Sequence, residues 1–168
     1  GLDLYFSRHD GSAVTVEDFL AALGAANGVD LSRWLDWYAQ AGTPRLQASG
    51  EYDVGTRSYT LRVRQSTAPT PNQPHKQALP IPIALALLGS EGRPLPLRLA
   101  HEAVAVGEER VLLLDAAEAS WRFVDVPAAP VPSLLRGYSA PVRLQLEATP
   151  EELLRQLRHD ADGFNRWF

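Results

Sequence analysis

Read for polarity alone, the chain divides into three stretches with different hydrophobic periods. Apolar residues recur every three or four positions up to Pro44, mostly alternate from Arg45 to Leu146, and return to helical spacing after Thr149. In the first stretch Phe19, Leu20 and Leu23 share a face behind Thr15. The Thr15 hydroxyl, with Asp18 three residues on, predicts a capping box that satisfies the free amides of a first helical turn. Asn27-Gly28 ends that helix. Leu31, Trp34, Leu35 and Tyr38 predict another short helix, capped by Asp30 or Ser32 and closed by Gly42 and Pro44. Ahead of both, Leu2, Leu4, Tyr5 and Phe6 run into His9-Asp10-Gly11 and are read as the closing turns of a helix that begins upstream.

From Arg45 the period is two. Tyr59, Leu61 and Val63 alternate with polar neighbours, as do Val142, Leu144 and Leu146, and Trp121 and Phe123 flank Arg122. With Leu46 to Asp53, Leu79 to Leu88, Pro96 to Leu99 and Arg110 to Asp115, about seven half-buried antiparallel strands are expected, the number of a β-sandwich. Proline sets the exceptions. Ala68 to Gln77 lacks amides at Pro69, Pro71 and Pro74 and is read as an extended surface loop. Pro80 and Pro82 share one face, which predicts an edge strand or one crossing between sheets, and Pro127, Pro130 and Pro132 predict an irregular connection. At Thr149-Pro150-Glu151-Glu152 a helix starts strongly, with Leu153, Leu154 and Leu157 as its apolar side. Gly163 interrupts it, and Phe164, Trp167 and Phe168 begin an aromatic-rich element.

Composition narrows the functional classes. The 168 residues contain no cysteine, which excludes disulfides, thiolate metal sites and cysteine nucleophiles. The net charge is -4 with scattered Arg, so no dedicated nucleic-acid surface is expected, and no apolar run is long enough to span a membrane. Methionine is absent even at position 1, which favours a piece of a longer chain. Fifteen of the sixteen basic residues are Arg, a skew that suggests a GC-rich bacterial genome.

Chemistry is sparse. His101-Glu102 begins like a zinc-binding HExxH helix, but position 105 is Ala where the second imidazole is needed. His9, His75 and His159 stand too far apart to form a local ligand set and are assigned surface or capping roles. His9-Asp10 and His159-Asp160 resemble parts of a hydrolase relay, yet adjacent residues do not orient each other as a triad requires. Both fall at predicted helix ends, where His complements the dipole. Glu108-Glu109 and Glu151-Glu152 point to different faces, which disfavours acid-base pairing. Walker, GxGxxG and GxSxG motifs are missing. Trp34, Trp37, Tyr38 and Trp167 offer either a stacking platform for a sugar or base, or core and interdomain packing; the helical spacing favours packing, chiefly against chain outside this sequence.

Three segments together resemble a known family. Leu4-Tyr5-Phe6-Ser7-Arg8-His9-Asp10-Gly11, with Ala13 to Phe19 after it, is similar to the end of the catalytic domain in bacterial aminopeptidase N, the alanyl-type zinc aminopeptidases. Asp36 to Pro44 resembles the join that follows, and Pro130-Val131-Pro132-Ser133-Leu134-Leu135-Arg136-Gly137-Tyr138-Ser139-Ala140-Pro141-Val142 the signature of the next β-sandwich. The likeness runs along nearly the whole chain in family order.

The resemblance implies a mainly β fold: an immunoglobulin-like antiparallel β-sandwich at 43–148, flanked by the last helices of a thermolysin-like catalytic domain at 1–42 and the first helices of a C-terminal α-helical domain at 149–168. It implies a parent enzyme that removes N-terminal amino acids from peptides with one zinc, in the cytoplasm. The parent's HExxH and Gly-Ala-Met-Glu-Asn motifs are not found in this sequence, so no catalytic, cofactor-binding or metal residue is assigned. The expected role is a structural spacer, inactive alone, whose partners are the parent's catalytic and C-terminal helical domains, with no nucleic acid or membrane partner. The alternative is a stand-alone sandwich that binds carbohydrate or protein through exposed aromatics.

Overall fold

The structure, a computed structural model, describes residues 1–167. Phe168, assigned above to an aromatic-rich element, lies outside the described residues. The chain opens with α1 (Leu2–His9) and α2 (Val16–Asn27), then a 3-10 turn (Ser32–Leu35) that runs into α3 (Asp36–Ala39). The Thr15–Asp18 capping box is present on α2, and Gly28 ends it in the left-handed conformation at φ 64°. Asp30 starts the next turn, its carboxylate accepting the Ser32 amide at 2.8 Å. Tyr5 of α1 meets Phe19 of α2 edge-on, with ring centroids 5.2 Å apart.

Seven strands follow: β1 (Arg45–Asp53), β2 (Ser58–Ser66), β3 (Ile81–Leu88), β4 (Arg110–Leu114), β5 (Glu118–Phe123), β6 (Val131–Leu134) and β7 (Arg143–Leu146). They form two sheets, ordered β5-β2-β1-β7 and β4-β3-β6. The alternating residues close the sandwich. Leu46, Leu61, Val63 and Phe123 from the larger sheet pack against Ile81, Ile83, Leu85, Leu87 and Leu114 from the smaller in one buried cluster. Gly50 in β1 makes room for the Tyr59 side chain; a Cβ there would lie 1.7 Å from the Tyr59 hydroxyl. The mainly β sandwich expected from the alternation is the observed fold.

Four details differ from the sequence reading. β7 runs parallel to β1, with Arg45 opposite Arg143, because alternation encodes which face is buried and not strand direction. Pro96 to Leu99 is not a strand: apart from a single bridge, Leu99 to Phe123, it is a loop, and Leu97 exchanges backbone bonds with Val106 and Gly107. Leu97 and Leu99 are nevertheless core residues. The proline-rich segment read as irregular contains β6, a sheet edge where Pro132 stands opposite Leu87. The Leu87 carbonyl is taken by the Leu95 amide at 2.8 Å, so the missing Pro132 amide leaves it no unmet acceptor.

β3, expected at an edge or crossing between sheets, is the central strand of its sheet. Proline is tolerated because β6 pairs only with Leu85 to Leu88, leaving the first half of β3 open on that side. There the Ser139 hydroxyl stands in for a strand, donating to the Pro82 carbonyl at 2.9 Å and accepting the Ala84 amide at 3.0 Å. The chain ends in α4 (Pro150–His159), with Thr149 and Glu152 forming its capping box, and a turn over residues 160–167 that folds back onto β6.

Candidate functional site

The densest polar cluster lies where α4 meets the sandwich, and Arg136 is its centre. Arg136 opens a 3-10 turn (Arg136–Tyr138) directly after β6. Leu135, Gly137 and Tyr138 all take positive φ, at 56°, 60° and 57°, so the backbone reverses sharply and turns the guanidinium inward. Leu135 and Tyr138 carry a Cβ, and the left-handed conformation costs each about 1 kcal/mol.

The Arg136 side chain is 6% exposed and the Asp160 side chain 0%. Arg136 Nη1 donates to Asp160 Oδ1 at 2.6 Å and to the Ser133 hydroxyl at 2.7 Å. Ser133 donates onward to Asp160 Oδ2 at 2.6 Å and accepts Asn165 Nδ2 at 2.7 Å. On the outer side Arg136 Nε donates to Glu109 Oε1 at 2.9 Å. Burial works against the Arg136 charge, but the hydrogen bonds to Asp160 and Glu109 outweigh it and raise the guanidinium above its ordinary value. The cation is therefore permanent. Asp162 extends the cluster by accepting the Gly137 amide at 2.7 Å.

Two further features border this joint. Gly92, at φ 77° in the loop after β3, lies under the last turn of α4, where an added Cβ would fall 2.0 Å from His159 Cβ. Beside the cluster an apolar groove of about 400 Å³ runs between β7, the Leu135–Tyr138 corner and α4, lined among others by Val142, Leu144, Leu146 and Leu153. Tyr138 and Phe164 stack at its rim with centroids 5.7 Å apart. Leu153, Leu154 and Leu157 of α4 are about half exposed.

The other joint is built from the short helices. Trp37 Nε1 donates to the Pro80 carbonyl at 2.8 Å, and its ring packs on the sandwich core. Arg33 donates to the Asp115 carbonyl at 3.1 Å and the Ala78 carbonyl at 3.3 Å. Gln40 and Gln77 bond each other twice, side chain to backbone, at 3.2 and 2.7 Å. The four aromatics considered as a platform do not share one exposed face. Trp37 is engaged with this chain's own sandwich, Trp34 is half-buried, and only Tyr38 at 70% and Trp167 at 91% are freely exposed. Packing was the favoured reading, and Trp37 packs on this chain's own sandwich core.

The histidines and acids singled out in the sequence do not converge. His9 lies against Tyr5, and His159 sits above Gly92. Among the described residues no group of three or more His, Cys, Asp or Glu is placed to hold a metal ion. The chain's side chains therefore do not fit a zinc site, and no chemical step is drawn through one. Glu102, beside His101, is occupied structurally: it receives both Arg110 Nη atoms at 2.9 and 3.0 Å and the Leu99 amide at 2.8 Å. The Arg110 hydrogen bond, with the Leu99 amide next, lowers its carboxyl from an ordinary 4.5 to about 2. Asp160 does close α4, as read from its place at a helix end, and it is in addition the buried acid of the joint, a role the sequence reading missed. Arg136 carried no role in the sequence beyond its place in the family-like signature.

Known proteins resolve what this geometry belongs to. The model of a family described as a domain of unknown function (DUF3458) with an Ig-like fold matches residues 42–147. The chain belongs to this Ig-like family. Aminopeptidase N of Escherichia coli K12 is 41% identical over 167 residues, which is 99% of this chain and 19% of that protein. Aminopeptidase N of Caulobacter vibrioides is 46% identical, again over 99% of this chain, and that of Haemophilus influenzae 38%. A crystal structure of Legionella pneumophila aminopeptidase A with aspartic acid superposes at a TM-score of 0.77 and 32% identity, covering 96% of this chain and 17% of that one. The chain thus spans under a fifth of the length of the relatives it matches. Within it lies the family's Ig-like domain, and the stretch it matches in the aminopeptidases continues through the helices on both sides.

Proposed function

We propose that this chain is the non-catalytic spacer region of a bacterial zinc aminopeptidase N. In this reading 1–42 closes the catalytic domain, 43–148 is the spacer itself, and 149–168 opens the C-terminal helical domain. The zinc, the peptide substrate and the chemistry belong to the rest of the cytoplasmic parent. The observation that carries the proposal is the match over 99% of the chain, which includes the helices outside the Ig-like stretch.

The two fastened joints support a mechanical role. A spacer sets the orientation of what it connects only if neither end swivels. Here Trp37, Arg33 and Gln40 tie the helices before β1 to the sandwich, and Arg136 with Asp160 ties α4 to it. A buried, multiply bonded ion pair is geometrically exacting, which favours one orientation over a continuum of looser ones.

An assay of the chain with an alanyl chromogenic substrate and added zinc tests the non-catalytic reading. We expect no turnover above the uncatalysed rate. Robust turnover would overturn the proposal.

A further inference from the structure

Lys76 is one of the side chains that hold the proline-rich loop Ala68–Gln77 to the linker ahead of β1. Lys76 Nζ donates to the Ala41 carbonyl at 2.8 Å, the Thr70 hydroxyl at 2.7 Å and Gln73 Oε1 at 2.8 Å. An ammonium has three donors, and here each meets a neutral oxygen. The oxygens come from two separate places, the linker ahead of β1 and the two arms of a tight turn. In that turn Thr70 and Gln73 exchange backbone bonds at 3.2 and 2.9 Å. Pro71 fixes its first central position and Asn72 supplies φ 64° at the second, as a type II turn requires. Gln73 also grips the linker directly: Oε1 accepts the Ala41 amide at 2.9 Å and Nε2 donates to the Ala39 carbonyl at 2.9 Å.

We propose that the loop and linker form a cation cage of neutral oxygens shaped for an ammonium group, with Lys76 as its built-in ligand. Filling the cage locks the linker that follows Trp37 onto the sandwich. Two observations beyond the distances point the same way. Lys76 is the single lysine among sixteen basic residues. A planar guanidinium forks onto acceptors in its own plane and does not converge on three oxygens around a point, so Arg cannot replace it. Second, no carboxylate pairs with Lys76 among the described ion pairs. Removing the ammonium therefore leaves three aligned acceptors and no orphaned charge. The Lys76 stem also lines a groove of about 350 Å³ with Ser66, Pro74, His75 and Gln77. Every group involved lies in this chain, so the inference stands or falls independently of the aminopeptidase reading.

Selective 15N-lysine labelling tests it on the unaltered chain, where a single side-chain ammonium signal is available. We expect that signal to persist near neutral pH with slow proton exchange; exchange as fast as that of free lysine would overturn the cage. In Lys76→Ala, hydrogen exchange at the Ala41 amide should rise about tenfold or more, the scale of one lost charge-assisted hydrogen bond. Propylammonium, the stem that the substitution removes, should restore protection, and tetramethylammonium, which has the charge but no N–H, should not. Lys76→Arg should resemble Lys76→Ala. Unchanged Ala41 exchange in Lys76→Ala, equal rescue by tetramethylammonium, or full function of Arg would each contradict the proposal. If Lys76→Ala fails to fold, the exchange rate of the unaltered ammonium decides alone.

Discussion

Arg136 is a charge enclosed by protein, and its environment dictates what substitution does. Removing Asp160 leaves the buried guanidinium with only the half-exposed Glu109 as a counter-charge and frees the Ser133 hydroxyl of its acceptor, which costs more than losing an exposed pair. We expect Asp160→Ala to lower unfolding stability by about 3 to 5 kcal/mol in denaturant titration. The double variant Arg136→Met with Asp160→Ala should recover part of that loss, since no uncompensated charge remains; a double variant worse than the sum of the singles would contradict the account. Glu102 provides a pH signature. Its carboxyl ionises at about 2 in the folded chain against an ordinary 4.5. The unfolded chain therefore takes up the proton first as pH falls, so the contribution is complete above 4.5 and is lost on descent toward 2. Glu102→Gln should flatten the stability profile in that window and leave the slope above pH 5 (about one half-unit over the ordinary value) unchanged. Neither pair was legible in the sequence. Arg136 and Asp160 lie 24 residues apart, and both residue types ordinarily face solvent, so only the folded chain reveals that they meet.

Secondary elements were most legible where their signals are local. Both capping boxes, Thr15 with Asp18 and Thr149 with Glu152, formed as the spacing predicts, because every group involved lies within one helical turn. Thr149→Ala removes the acceptor of the Glu152 amide, at 3.2 Å, and should destabilise α4 by about 1 kcal/mol. Because α4 buries no residue completely, that loss should appear as faster amide exchange confined to α4. Equal acceleration throughout the sandwich would show that α4 and the sheets open together. Strand signals were legible as burial but not as partnership. Alternation found β2 with its buried face and located β7, although β7 buries no side chain fully, and the parallel pairing of β7 with β1 depends on a long connection that carries no periodic mark. Proline misdirected the reading at β6 and β3, since a missing amide matters only on the side where a neighbouring strand lies, and sequence does not show that side.

At the scale of the molecule, the helices before β1, the sandwich and α4 are joined by side chains more than by sheet or helix continuity. Trp37 crosses from α3 to Pro80, Lys76 closes the proline-rich loop on the linker, and Arg136 reaches Asp160 beyond α4. The overall layout was legible because the three hydrophobic periods follow one another cleanly, and the family likeness ran in the same order. The joints were not, because each couples residues from separate stretches whose individual types are unremarkable. The central claim is that these joints make one rigid body. Residual dipolar couplings measured on the backbone amides of α2, the two sheets and α4 test it most directly. The account predicts that one alignment tensor fits all three regions, and that Asp160→Ala releases α4 alone from the common fit. Separate tensors for the regions of the unaltered chain would contradict it.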